Sequence, residues 1–318
     1  MNGRLATGLS QISNDPSSLE DGGFWAVSTT FEGAFTAARF DHVTESDFPI
    51  SDWQKLTGQW TSSLDQDQYI EYVKAIQELI AQGWVYQVNA CREISISCSA
   101  DNLRGLFSQI VTGNPAPWAS YLEIPGLNIA SASPELFLKR SGNNLRTSPI
   151  KGTAPLGVVD FGIKDRAENV MIVDLMRNDL GQICKSGSVT VPRLLSTELH
   201  PGLVHLVSDI EGELKEDTSW AEIFTLLSPP GSISGAPKSS AVSTIQKNEG
   251  ARGPYCGALG WVQGDQCELS VAIRIFFKDD KLRFGTGAGI TWASQAQSEW
   301  EETELKARRL ISLAGGQL

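Results

Sequence analysis

The feature that most constrains this chain is the way short β-type runs follow one another through tight turns, because strands joined by two-residue turns must pair antiparallel. Ala258–Gln263 and the run 268–277 flank Gly264-Asp265, and Asp279-Asp280 separates that second run from Leu282–Gly285. Further strand-type runs lie at 85–97, 128–133, 136–140, 188–191 and 202–211. Helical periodicity is clearest at 65–82, where Tyr69, Tyr72, Val73, Ile76, Leu79 and Ile80 share a face before Gly83. Helices are also expected at 102–111, 164–179, 218–227, 239–248 and 296–313. Strict β–α alternation is absent, so the order predicts α+β with large antiparallel sheets rather than a doubly wound parallel one. Residues 1–63 read as a short N-terminal strand-rich segment of the same core, ahead of a main domain over 64–318.

Charge narrows the function. With 26 Lys+Arg against 37 Asp+Glu the net charge is −11, which disfavours nucleic acid and anionic membrane as partners. Met1–Ser10 has no apolar leader and no stretch reaches the ~18 apolar residues of a membrane span, so a cytoplasmic location is expected. Five cysteines without a C-x-x-C pair read as reduced and packed. An acidic chain that binds an acidic substrate needs a local cation, either a metal or a few placed Arg and Lys.

Gly231–Ser239 has the wrong spacing for a phosphate-binding P-loop, and Gly285-Thr-Gly287-Ala-Gly289 lacks the third glycine of a dinucleotide fingerprint. Such segments either bring backbone N–H groups close to a carboxylate or are plain turns. No Cys or Ser is flanked by Gly at both i−2 and i+2, as a nucleophile elbow requires. Three histidines are too few for a His-rich metal centre. Asp165 with Glu168, and Glu299 with Glu302, each lie three apart near the start of an expected helix. They are either acidic helix starts favoured by the macrodipole or two halves of a hard-cation site.

A series of ordered motifs resembles the chorismate-utilising enzymes, which include anthranilate synthase component I, aminodeoxychorismate synthase component I and the isochorismate and salicylate synthases. The motifs are Tyr86–Asn89, Ser133–Glu135, Pro149–Thr153, Asp165–Asn169 running into Met171–Leu175, Arg177–Leu180, His205–Ser208, Pro229–Lys238, Ala272–Arg274, Gly287–Gly289 and Glu299–Thr303. The likeness runs from about residue 64 to 313. It implies two large antiparallel sheets packed together with helices outside, and a deep cleft that binds chorismate and Mg²⁺. It also implies Glu168 and Glu302 as direct magnesium ligands, with Asp165 and Glu299 holding metal-bound waters. Arg274 and Lys306 would hold the substrate's side-chain carboxylate, with Tyr255, Ser234 and the amides of Gly287, Ala288 and Gly289 nearby.

Two positions separate the reactions of such a family. Gln87 stands where water-adding members carry a lysine base, and glutamine cannot act as that base. Lys151 stands where anthranilate synthases typically carry alanine, and the resemblance to lysine-bearing aminodeoxychorismate synthases implies its amine as a covalent nucleophile. Without that context Lys151 reads as an exposed turn lysine. The resemblance therefore implies carbon 4 amination through Lys151, with Glu135 as acid and His205 and Thr153 assisting. Ammonia would come from a glutamine amidotransferase partner. The alternatives are anthranilate synthase component I, although no Leu-Leu-Glu-Ser-like tryptophan-feedback segment is present, and a non-catalytic chorismate-binding relic, although no expected acid, nucleophile or ligand is missing.

Overall fold

The computed structural model describes residues 1, 3–157, 161–200 and 203–318, with the side chains of Thr153, Pro155, His200 and Leu203 outside that description. Two antiparallel sheets dominate. The ten-stranded sheet runs in the order Arg4–Ser13, Phe35–Glu45, Phe24–Thr29, Ala258–Gln263, Gln266–Val271, Leu136–Ser141, Asn144–Ser148, Leu203–Glu213 and Ile150–Pro155, and Thr190–His200 also pairs with Leu203–Glu213. The seven-stranded sheet orders Gly235–Ala236, Gln87–Ile96, Leu282–Ile290, Ile275–Lys278, Leu127–Ser133 and Trp118–Ile124, with Thr61–Ser62 on Gln87–Ile96. Both expected hairpins form, at Gly264-Asp265 and Asp279-Asp280.

The helices are α1 (Gln66–Ala81), α2 (Arg104–Gly113), α3 (Ile163–Ile183), α4 (Trp220–Leu227), α5 (Lys238–Asn248) and α6 (Ala296–Ala314). Asp65 caps α1 through a capping box with Gln68, and Ser219 caps α4 in the same way with Glu222. α2 and α6 cover one face of the seven-stranded sheet through Leu106, Ile110, Leu310 and Ile311 against Ile94, Phe276 and Phe284. The larger core joins Trp25, Val27, Phe137 and Leu259 of one sheet to Val88, Ala90 and Ile290 of the other and to α3 and α4. No helix among the described residues is long and apolar enough to cross a membrane.

Several elements differ from the sequence expectation. The run 268–277 is two strands in different sheets, Gln266–Val271 and Ile275–Lys278, and Arg274 takes a left-handed φ of 52° at the crossing. Leu282–Gly285 continues as a strand to Ile290, paired residue by residue with Gln87–Ile96. Thr190–His200 extends well beyond 191 because Leu203–Glu213 pairs along it. The strands Trp118–Ile124, Asn144–Ser148 and Ile150–Pro155 were not expected.

Candidate active site

The site lies where the chain passes between the two sheets. Leu127–Ser133 belongs to the seven-stranded sheet and Leu136–Ser141 to the ten-stranded one, and Glu135 occupies the short link between them. The passage in the opposite sense, from Gln266–Val271 to Ile275–Lys278, carries Arg274. The two links are tied together, since Val271 N donates to Glu135 O at 3.0 Å and Ser133 Oγ to Val271 O at 2.6 Å.

Glu135 is buried, and its Oε1 has no hydrogen-bond partner. Burial raises its carboxyl above the usual carboxylate range, against the opposing pull of Lys151, the Ser232 hydroxyl, the Ile150 amide and Lys306. Burial lowers the Arg274 guanidinium, and the charge of Glu135 opposes that. Lys151, on Ile150–Pro155, donates from Nζ to the Ser232 carbonyl at 2.7 Å.

The carboxylates gather between the starts of α3 and α6. Lys164 Nζ lies 2.7 Å from Glu299 Oε1 and 3.8 Å from Glu168 Oε1. Glu299 is 2% exposed, a carboxylate removed from water and held by that one lysine. Glu168 has a buried Oε1 with no hydrogen-bond partner, and burial raises its carboxyl; Lys151 and Lys164 oppose the rise while Glu299 and Glu302 add to it. Glu302 is held low instead, because the effect of burial is outweighed by Lys306 at 2.7 Å, with Lys164 and Lys151 adding to it. The first turn of α3 sits against the Lys151 strand at Gly152, where φ is +87° and a Cβ would come 3.1 Å from Asp165 Cβ.

Among the described residues no three Asp, Glu, His or Cys side chains converge on a ready cage for a metal. The donor set still fits a hard cation. Mg²⁺ takes one or two carboxylates and completes its shell with water and substrate oxygens, and the orphaned Glu168 oxygen is a buried acceptor without a donor.

The glycine-rich segment is the strand Leu282–Ile290, and only its first residues are paired on both sides: Ile275–Lys278 meets 282–284, whereas Gln87–Ile96 accompanies the whole length. Past Phe284 one backbone edge therefore has no neighbouring strand among the described residues. A Cβ at Gly285 would strike the Tyr255 ring, and at Gly287 it would lie 2.5 Å from Cys91 Sγ and the Ala90 carbonyl. At Gly289 it would strike the Gln87 amide nitrogen and come within 3.7 Å of Glu168 Oε2. Gln87 is buried with its Oε1 unpartnered, so its amide, Gly289 and Glu168 adjoin. Ala288 pairs with Ala90 in the same ladder, and Lys306 Nζ donates to Gly287 O at 2.9 Å.

Of the residues expected at a site, Glu135, Lys151, Asp165, Glu168, Arg274, Gly287, Gly289, Glu299, Glu302 and Lys306 are thus linked by contacts or by mutual electrostatic influence. Tyr255 is buried behind Gly285, with its hydroxyl 3.7 Å from Cys91 Sγ. His205 is buried on the strand beside that of Lys151, level with Thr153, whose side chain lies outside the described residues. Ser234 does not turn its hydroxyl toward these groups, since it is fully buried and donates to Pro230 O at 3.2 Å and Gly231 O at 3.3 Å. Two residues were not expected. Lys164 had a signal in its i, i+4 spacing to Glu168. Ser232 acts on Lys151 through a main-chain carbonyl, which no side-chain pattern announces.

Comparison with known proteins agrees with this geometry. Residues 32–312 match the family model described as chorismate binding enzyme, which reaches well N-terminal to the likeness expected from about residue 64. Anthranilate synthase component 1 of Saccharolobus solfataricus is 36% identical over 80% of this chain and 64% of its own length. Aminodeoxychorismate synthase component 1 of Escherichia coli K12 is 35% identical over 80% of this chain and 59% of its own length. The chain thus spans about three fifths of these curated relatives. Among solved structures, anthranilate synthase component I from Streptococcus pneumoniae superposes with a TM-score of 0.84, covering 97% of this chain and 91% of that one at 20% identity. A match that takes in both sheets, the links between them and the carboxylate-bearing helices places the chain in the chorismate binding enzyme family.

Proposed function

We propose that this chain is an aminodeoxychorismate synthase component I, converting chorismate and ammonia to 4-amino-4-deoxychorismate. The observation that carries this reading over anthranilate synthase is Lys151, an amine on a strand that faces a buried carboxyl, with its Nζ fixed 2.7 Å from the Ser232 carbonyl. The relatives bear both names, so the anthranilate reading stands as the second one.

Arg274 and Lys306 supply the positive field that an acidic chain must concentrate to bind a dicarboxylate, and the unpaired edge of Leu282–Ile290 offers amides at close approach. Glu168 and Glu302, with Asp165 and Glu299 behind them, would hold Mg²⁺, which when bound neutralises the ring carboxylate and leaves carbon 2 electrophilic. Lys151 Nζ attacks carbon 2, the diene shifts, and the carbon 4 hydroxyl leaves as water on a proton from Glu135. Ammonia then attacks carbon 4, the double bonds shift back and the lysine is expelled. The attack needs a neutral amine and the departure needs a protonated acid. Burial of Glu135, which raises its carboxyl, favours the protonated acid. His205 is assigned to the carbon 4 side, as a polarising or relaying group.

Withholding ammonia tests this directly. With chorismate and Mg²⁺ alone, intact-mass spectrometry should show a chain heavier by chorismate less one water. An unmodified mass in a preparation that forms product once ammonium is added overturns the covalent step. Nitrogen supply is a further prediction. Since no glutaminase nucleophile elbow is present, the purified chain should use ammonium but not glutamine, and a separate glutamine amidotransferase subunit should restore glutamine use. Equal rates with either donor from the chain alone contradict it.

A further inference from the structure

Beside α6 lies a buried cation that has no place in the chemistry above. Arg92 sits midway along the Gln87–Ile96 strand at 4% exposure. Its Nε donates to Thr303 Oγ1 at 3.0 Å and its Nη1 to Ser62 Oγ at 3.0 Å. Nη2 pairs with Glu304, and the guanidinium carbon lies 4.0 Å from the centre of the Trp300 ring. A guanidinium removed from water is stable only when its donors are met, and three of these four partners belong to α6.

Helical period sorts α6 into two neighbouring stripes. Trp300, Thr303, Glu304 and Ala307 form the one that meets Arg92 and the sheet. Glu299, Glu302 and Lys306 form the other, where Lys164 holds Glu299 at 2.7 Å and Lys306 donates to Gly287 O at 2.9 Å. Past Ala307 the helix is held by apolar packing, through Leu310, Ile311 and Ala314. Before it, polar contacts to the sheet converge on Thr303, which is fully buried. The Thr303 hydroxyl accepts from Arg92 and donates to Trp300 O at 2.8 Å, and its carbonyl accepts from Thr286 Oγ1 at 2.8 Å. Thr286 is the residue paired with Arg92 across the two strands.

We infer that Arg92 is a positioning residue for the acidic face of α6: by gripping Trp300, Thr303 and Glu304 it sets the roll of the helix, and with it the reach of Glu302 and Lys306 into the cleft. Both stripes belong to one rigid helix, so a roll that loosens the first displaces the second. Arginine suits the task because its planar fork fixes several directions at once, which the point charge of a lysine cannot do. The inference rests on the proposed magnesium site of Glu168 and Glu302.

The probe is Mn²⁺, which like Mg²⁺ favours carboxylate and water oxygens. It is titrated into the full chain without substrate and followed by loss of the free-ion electron paramagnetic resonance signal. Arg92→Lys keeps the charge and loses the fork, and should raise the Mn²⁺ dissociation constant roughly tenfold or more. Thr303→Val keeps the shape and removes the hydroxyl; it should raise the constant about threefold or more, and Thr303→Ser should restore it. Ser62→Ala removes the partner that lies off α6 and should stay within about twofold. In a Glu302→Gln background Arg92→Lys should also cost less than about twofold, because α6 then has no direct ligand to misplace. Should Arg92→Lys fail to fold, the threonine pair decides. Wild-type affinity in the folded Arg92 and Thr303→Val variants, an equal cost from Ser62→Ala, an equal cost in both backgrounds or no rescue by serine overturns the inference. A wild-type chain that holds no Mn²⁺ marks failure of the magnesium reading instead. Arg92 is then judged through Lys306, by equilibrium dialysis against chorismate: a dissociation constant raised by Thr303→Val and restored by Thr303→Ser supports it, and any other pattern overturns it.

Discussion

Lys151→Ala is expected to lose 4-amino-4-deoxychorismate formation by more than about a thousandfold while still binding chorismate, because it removes the proposed nucleophile and leaves the acid, the carboxylate clamps and the acidic cluster in place. The variant should form no adduct when ammonia is withheld. With carbon 2 no longer occupied by the lysine, ammonia can reach it directly, so residual turnover should appear as the 2-amino isomer. The two products separate by chromatography. Carbon 4 amination at the wild-type rate would show that the amine is not the nucleophile.

The second large effect concerns the carboxylates. Glu168→Gln and Glu302→Gln should each reduce Mg²⁺-dependent activity by more than about a hundredfold, above the range typical of residues that only orient a ligand. Asp165→Asn should cost less, about tenfold. Glu168 is the more telling of the two proposed ligands, because its buried Oε1 lacks a donor and its carboxyl is raised by burial next to Glu299 and Glu302. Titrating Mg²⁺ against activity checks this. Full activity of either glutamine variant in trace magnesium contradicts the assignment.

Much of the helical framework is visible in the chain itself, because α1 and α4 announce themselves by apolar period and capping residues. The strand content is harder to read where a side-chain pattern is missing or misleading. Gly285, Gly287 and Gly289 alternate along a strand whose glycines make room for the Tyr255 ring, Cys91 and the Gln87 amide. Glycine carries no period, so the segment resembles a loop. The run 268–277 misleads in the other direction. It has no Gly or Pro to mark a break, and the turn between sheets falls on Arg274, whose left-handed backbone is set by tertiary contact rather than by its own preference. The carboxylate pairs at 165 and 168 and at 299 and 302 were legible as helix-face neighbours, and their convergence with Lys164, Lys151 and Lys306 emerges only from the packing of α3 and α6 on the sheets. Ser232 was beyond reach for a different reason, since its link to Lys151 runs through the backbone.

The position of the new amino group tests the central claim most directly. Wild-type protein incubated with chorismate, Mg²⁺ and an ammonium salt should yield 4-amino-4-deoxychorismate as the main product by chromatography and mass spectrometry. Anthranilate as the main product would contradict it.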